Sequence, residues 1–300
     1  MMKITRDPDF DQFLHVLKRD KKPTHLPFYE HIASGGFIEA RTGVKQRYLD
    51  WNTPEAWRIY VDFWLGMGFD GVPIEIAPNL PVMEHETRTT QMSQGSEAFV
   101  SMRSLKEFET YPWPDPATAV ELGHYERAAA GLPDGAKLVA GVCAGPYEWA
   151  SRLLGVEGLS TAIYLEPELV RAVFDKIDEI HTTALRQIAA MEAVGACRQG
   201  DDLGFKTSTF LSPEHLREYV FPIYKKMAMI AHDAGKPFIL HSCGNLSSVY
   251  EDLIDDCDID AKHSFEDVIM PVTVFKQQYG DRLTPLGGLD VDFICRAEEH

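Results

Sequence analysis

Basic charge is scarce in this chain. Its 300 residues carry 29 Lys and Arg against 46 Asp and Glu, a formal net charge of −17, and a surface of that sign repels phosphate backbones and anionic lipid headgroups. Neither nucleic acid nor a membrane is an expected partner. Long apolar runs are missing too. The longest stretch free of Asp, Glu, Lys and Arg, Pro237–Tyr250, has 14 residues, fewer than the roughly 20 that a spanning helix needs. The opening MMKITRDPDFDQF has no signal-peptide apolar core. Five scattered cysteines, Cys143, Cys197, Cys243, Cys257 and Cys295, are too few for a disulfide framework and point to a reducing, cytoplasmic setting. Nucleophile-elbow, phosphate-loop and dinucleotide-binding signatures are also absent.

What is present is an ordinary globular composition, 45% hydrophobic and 25% charged, with short apolar runs alternating with longer segments of helical period. That alternation predicts βα units around a parallel sheet. The candidate strands are Leu26–Glu30, Gly71–Ile76, Lys137–Val142, Ala196–Asp201, Pro237–His241, Ile259–His263 and Leu283–Gly287. Helices are expected over Pro54–Leu65, Pro116–Ala130, Pro167–Val194 and Pro213–Ala234, opened by caps such as Thr53 and Ser212 or by first-turn prolines. Gly195 and Gly235 are placed to end two of them. The pattern describes one α/β domain over 1–300, a (β/α)8 TIM barrel. Seven candidate strands are one short of that count, so the C-terminal βα unit is expected to lie outside the chain. Residues 78–136 interrupt the alternation after the second strand as an insertion, with a β-hairpin expected near 86–103. It would be a lid, a docking surface or a surface decoration.

The sharpest local chemistry is Phe238-Ile239-Leu240-His241-Ser242-Cys243-Gly244-Asn245, an apolar strand ending in a histidine and a cysteine two residues apart. Residues i and i+2 of extended chain share a face, so both side chains can enter the barrel mouth. An imidazole and a thiolate are half of a tetrahedral zinc site; a buried thiol and a satisfied core histidine are the other reading. Acidic groups gather at strand ends as well. Glu30 beside His31, Glu75, Glu148, Asp202, Glu266 and Asp290 converge on one face if the strands form a barrel. For Glu30 and Glu75, set within apolar strands, a functional role is favoured because an unpaired buried carboxylate is costly. Asp202 and Asp290 read equally well as caps or solvated loop residues.

From Gly141 onward the order of motifs resembles the uroporphyrinogen decarboxylase superfamily. The matching pieces are GPYEWASRLLG (145–155), EPELV (166–170), GDDLGFKTSTFLSPEHLREYVFPIYKKM (200–227), HSCGN (241–245) and GDRLTPLGGLD (280–290). The resemblance implies a (β/α)8 barrel and one of two activities. The decarboxylase branch holds its substrate's carboxylates with an arginine-rich loop after the first strand, whereas FYEHIASGGFIEA has no arginine before Arg41. The aspartate expected after the second strand falls near Ala77, and a tyrosine of the third unit falls near Arg152.

The other branch, zinc-dependent methyltransferases acting on methylated corrinoid proteins, uses a His-x-Cys pair that His241 and Cys243 match. Its second cysteine would lie beyond residue 300. On this reading zinc is bound by His241 and Cys243 with a third ligand beyond residue 300. Glu30, Glu75 and Asp202 then serve catalysis, and His31, Glu148, Arg152, Glu266 and Asp290 line the substrate pocket. A small thiol is the expected methyl acceptor, and methylcobalamin, carried by a corrinoid protein, is the expected donor. A porphyrin-pathway decarboxylase and a non-catalytic barrel that binds a corrinoid or another small ligand are the alternatives.

Overall fold

The computed structural model describes residues 6–81 and 100–290, together with 293 and 296. Six strands form one sheet: β1 (Gly71–Ile76), β2 (Lys137–Val142), β3 (Val194–Gly200), β4 (Phe238–His241), β5 (Ala261–His263) and β6 (Thr284–Leu286). Their spatial order is their sequence order and every neighbouring pair is parallel. A doubly wound sheet reverses its strand order at a switch point. This one never does, as in the wall of a (β/α) barrel. Helices α1 (Phe10–Lys18), α2 (Gly35–Thr42) and α3 (Pro54–Gly66) precede β1, and α4 (Leu105–Thr110) and α5 (Gly123–Ala130) lie between β1 and β2. Three more, α6 (Pro146–Leu154), α7 (Val156–Leu165) and α8 (Pro167–Ala189), lead from β2 to β3.

Two-residue alternation sorts the side chains of the sheet. Val72, Ile74, Leu138, Ala140, Val142, Cys197, Phe238 and Leu240 join the large apolar core shared with the helices. Val139, Ala196, Ile239, Ala261 and Leu286 form a second, inner cluster with Phe10, Phe13 and Leu17 of α1. Helix α1 thus plugs the N-terminal end of the sheet. Phe10 needs Gly195 beneath it, since a Cβ there would stand 2.2 Å from its ring. Gly195 therefore belongs to β3, not to a helix end; the preceding helix stops at Ala189, short of Val194. Gly235, with φ +73°, does occupy the left-handed position expected of a helix stop.

Other departures have local causes. Leu26–Glu30 forms no strand. Pro23 and Pro27 remove main-chain donors from that stretch, yet Tyr29 still stacks on Phe13. The expected helix over Pro116–Ala130 begins only at Gly123. The helix expected over Pro213–Ala234 contains a π-helical turn, Leu216–Val220, between α9 (Pro213–His215) and α10 (Phe221–Asp233). Pro222, which lacks an N–H, lies two residues past that turn, and a wider turn accommodates the missing bond. The last segments are a second π-helical turn, Asp252–Asp256, and α11 (Val272–Tyr279). Most of the hairpin expected near 86–103 lies outside the described residues.

Asp70 fastens the N-terminal plug to β1. Its buried carboxylate accepts from Arg6, from the Asp9 N–H at 2.9 Å and from His25 Nε2 at 2.9 Å. Burial alone raises its pKa, but these donors outweigh it and hold the carboxyl below its ordinary 3.8. A lowered acid contributes stability above its unfolded value and loses it as pH falls through the folded one. Asp70→Asn is thus expected to unfold earlier than the parent in urea at pH 7, with the gap closing below about pH 4. Gly141 is a second pressure point, because a Cβ there would lie 1.8 Å from the Arg198 carbonyl oxygen. Gly141→Ala is expected to cost roughly 1–3 kcal/mol or more in the same titration.

Candidate functional site

Two loops that follow neighbouring strands are knitted together at the C-terminal end of the sheet. Gly244, at φ +84°, presses against Gly204, where a Cβ would meet the Gly204 carbonyl carbon at 2.1 Å. Leu203 N–H donates to Ser242 Oγ at 3.1 Å, and Asn245 N–H donates to the Phe205 carbonyl at 2.8 Å. The contact brings Asp202 onto the His241–Cys243 turn, where its Oδ1 accepts the Cys243 N–H at 2.9 Å. The same oxygen stands 3.5 Å from His241 Nε2, and Cys243 Sγ stands 3.7 Å from that nitrogen.

Those spacings suit a metal. For zinc bonds of about 2.0–2.3 Å at tetrahedral angles, N···O separations of about 3.4 Å and N···S separations of about 3.6 Å are required. His241 Nε2 stands at such separations from both Asp202 and Cys243, and the three ligand atoms lie within 4.8 Å of one another. Asp202 is thus a candidate donor beside the His241–Cys243 pair. His31, His241 and His263 form a second cluster of potential ligands around the same imidazole.

Electrostatics support the protonation states that ligands need. Burial keeps His241 below its ordinary pKa, with Asp202 pulling the other way, and burial together with cationic neighbours holds His263 well below it. Both are neutral imidazoles. Burial raises Asp202, but the adjacent His241 ring and the Cys243 N–H overcome it and set the carboxyl at about 2. Burial, reinforced by Asp202, pushes the Cys243 thiol up to about 11, although Ser264 Oγ, 3.6 Å away, works against it. A thiol held there is no nucleophile near neutrality, and a cation beside it would reverse the sign of the local field. Ser264 itself has φ +83°, a strained conformation for a side-chain-bearing residue and one that clusters at functional sites.

Below this group lies a buried ion pair. Arg198, with no exposed surface, binds Glu75. Its Nε and Nη2, like Tyr29 Oη, lack a well-aligned hydrogen bond among the described residues. Glu30 Oε1 accepts from the His31 N–H at 2.8 Å and from its Nδ1 at 3.0 Å, and the His31 ring lies 4.0 Å from that of His241. The structure therefore gathers Glu30, His31, Glu75, Asp202, His241 and Cys243. Glu148 and Arg152 sit on α6 at the rim, 3.6 Å apart, with Arg152 over the Trp149 ring. Glu266 and Asp290 accept main-chain N–H groups, of Gly244 at 3.3 Å and Asp267 at 3.0 Å. Asp201, next to Asp202, faces away from the donor set. It accepts from the first-turn N–H groups of Tyr147 and Glu148 and from Tyr224 Oη, and burial raises its pKa to about 8.

Sequence reasoning missed Arg198, His263 and Ser264. A signal for the first two existed. Arg198 shares the inward parity of Ala196, and His263 ends its candidate strand level with His241.

Comparison with known proteins identifies the fold and the family. Among solved structures, a methyltransferase from Methanosarcina mazei superposes with a TM-score of 0.66 at 19% identity, covering 92% of this chain and 81% of that one. At that identity the likeness speaks for the fold. No curated protein sequence matches. The uroporphyrinogen decarboxylase (URO-D) family profile matches residues 71–299, which include every strand of the sheet and the whole Asp202–His241–Cys243 group. The chain belongs to the uroporphyrinogen decarboxylase (URO-D) family.

Proposed function

We propose that this chain is a methyltransferase in which Asp202, His241 and Cys243 hold a zinc ion and a small thiol accepts a methyl group from a methylated corrinoid. The observation that carries the reading is the pair of spacings around His241 Nε2, 3.5 Å to Asp202 and 3.7 Å to Cys243. Zinc in that set supplies Lewis acidity that lets a thiol ionise near neutral pH. The chain's own residues do the rest. Asp202 arrives ionised and His241 neutral, so neither has to shed a proton to become a ligand. The Cys243 thiol does have to lose one, and its N–H bond to Asp202 fixes the direction of its turn.

The donor's size favours a partner protein over the mouth. Ile32, Phe205, Phe210, Val268 and Leu289, which all follow strand or strand-like segments on this face, are exposed. Phe210 is braced by stacking on Tyr147. Exposed apolar side chains on the face that carries the polar His241–Cys243 group suit docking of a second protein that delivers a reactive group. The M. mazei methyltransferase supports the methyl-transfer reading by its fold.

Metal analysis of the full-length protein purified without chelator is expected to find one zinc per chain, lost in Cys243→Ala and in Asp202→Asn. Methylcobalamin with 2-mercaptoethanol is expected to yield the methyl thioether and cob(I)alamin, with the rate falling at least 100-fold in Cys243→Ala. Carbon dioxide release from uroporphyrinogen would overturn the reading in favour of a decarboxylase. Zinc uptake with no methyl transfer to any thiol would reduce the barrel to a binding protein.

A further inference from the structure

His241 turns one ring nitrogen toward Cys243 and Asp202 and the other toward His263. The Nδ1 atoms of His241 and His263 are 2.8 Å apart. Two imidazole nitrogens on one tetrahedral ion stand about 3.3 Å apart, given bonds of about 2.0–2.1 Å, whereas 2.8 Å is the separation of a hydrogen bond. Within the His31–His241–His263 cluster, then, this pair is joined by a proton. We infer that His263 is a positioning residue: it accepts the Nδ1–H of His241 and so presents Nε2 to an ion held with Asp202 and Cys243. The inference rests on the zinc reading above.

Several features hold the arrangement. His241 and His263 are register partners on β4 and β5, so main-chain bonds set both rings at one height. Tyr29 meets the His263 ring edge-on at 4.9 Å and 88°, and His31 lies over His241 at 4.0 Å, which restricts rotation of both imidazoles. If Nδ1 of neutral His263 accepts, its single proton sits on Nε2. That atom is 3.7 Å from Glu30 Oε1, close enough for the carboxylate's charge to favour this tautomer. Glu30 is itself fixed by two bonds from His31. The result is a Glu30–His263–His241 sequence leading to the metal-facing nitrogen, the kind of outer support whose loss weakens metal sites by about 10–100-fold.

Zinc affinity of the full chain, measured by competition with a chromogenic chelator, tests this without any turnover. His263→Ala is expected to bind zinc about 10–100-fold more weakly. His263→Asn, whose amide oxygen can occupy the place of Nδ1, is expected to recover most of that loss. His263→Leu serves as the acceptor-free variant if the alanine chain does not fold, and thermal unfolding is followed for all of them. Affinity within threefold of the parent in the acceptor-free variant overturns the inference while leaving the zinc site standing. Equal losses in the acceptor-free and asparagine variants also overturn it, as marks of general damage. A parent chain that takes up no zinc overturns the proposed function, and the inference falls with it; the parent titration tells these failures apart.

Discussion

The site depends on the contact between two glycines. Gly204 and Gly244 approach so closely that neither tolerates a Cβ, and that approach lays the loop after β3 against the loop after β4. Without it Asp202 would be one more carboxylate at a strand end. With it, one oxygen of Asp202 reaches both the Cys243 N–H and the His241 ring. The sheet contributes height and direction through its parallel register, while the glycine contact brings the carboxylate of Asp202 to the pair.

Charge around this group is distributed unevenly. The chain is strongly acidic overall, but a fully buried Arg198 lies beneath the group, held by a partly exposed Glu75. A buried guanidinium without a partner would be costly, and the pairing with Glu75 removes most of that cost. Burial does most to lower the pKa of His241 and His263, and neighbouring imidazoles and Arg198 add to it in the same direction.

Much of this could be read before any coordinates, and the reasons for the rest are physical. Candidate runs of five or six residues coincide with the six paired strands, although Ala196–Asp201 and Ile259–His263 carry Arg198 and Lys262 within them. The Leu26–Glu30 run looked the same but carries proline and stays unpaired. His241 and Cys243 were legible because parity alone places them. Asp202 was visible only as a strand-end acid, since its partner is chosen by loop packing that no local pattern encodes. Arg198 and His263 obey the same parity as His241, yet periodicity looks for apolar side chains inside and passes over polar ones. The π-helical turn at Leu216–Val220 was hidden because helical spacing continues through it on either side.

Asp201 and Asp202 occupy adjacent positions and hold different bodies. Asp201 grips the first turn of α6, with Gly145 leaving just enough room for its carboxylate, and Asp202 grips the cysteine turn. One peptide unit is thus the hinge pin between a rim helix carrying Glu148 and Arg152 and the donor set below. A tilt of α6 would therefore be transmitted through this one peptide unit to the backbone from which Asp202 hangs.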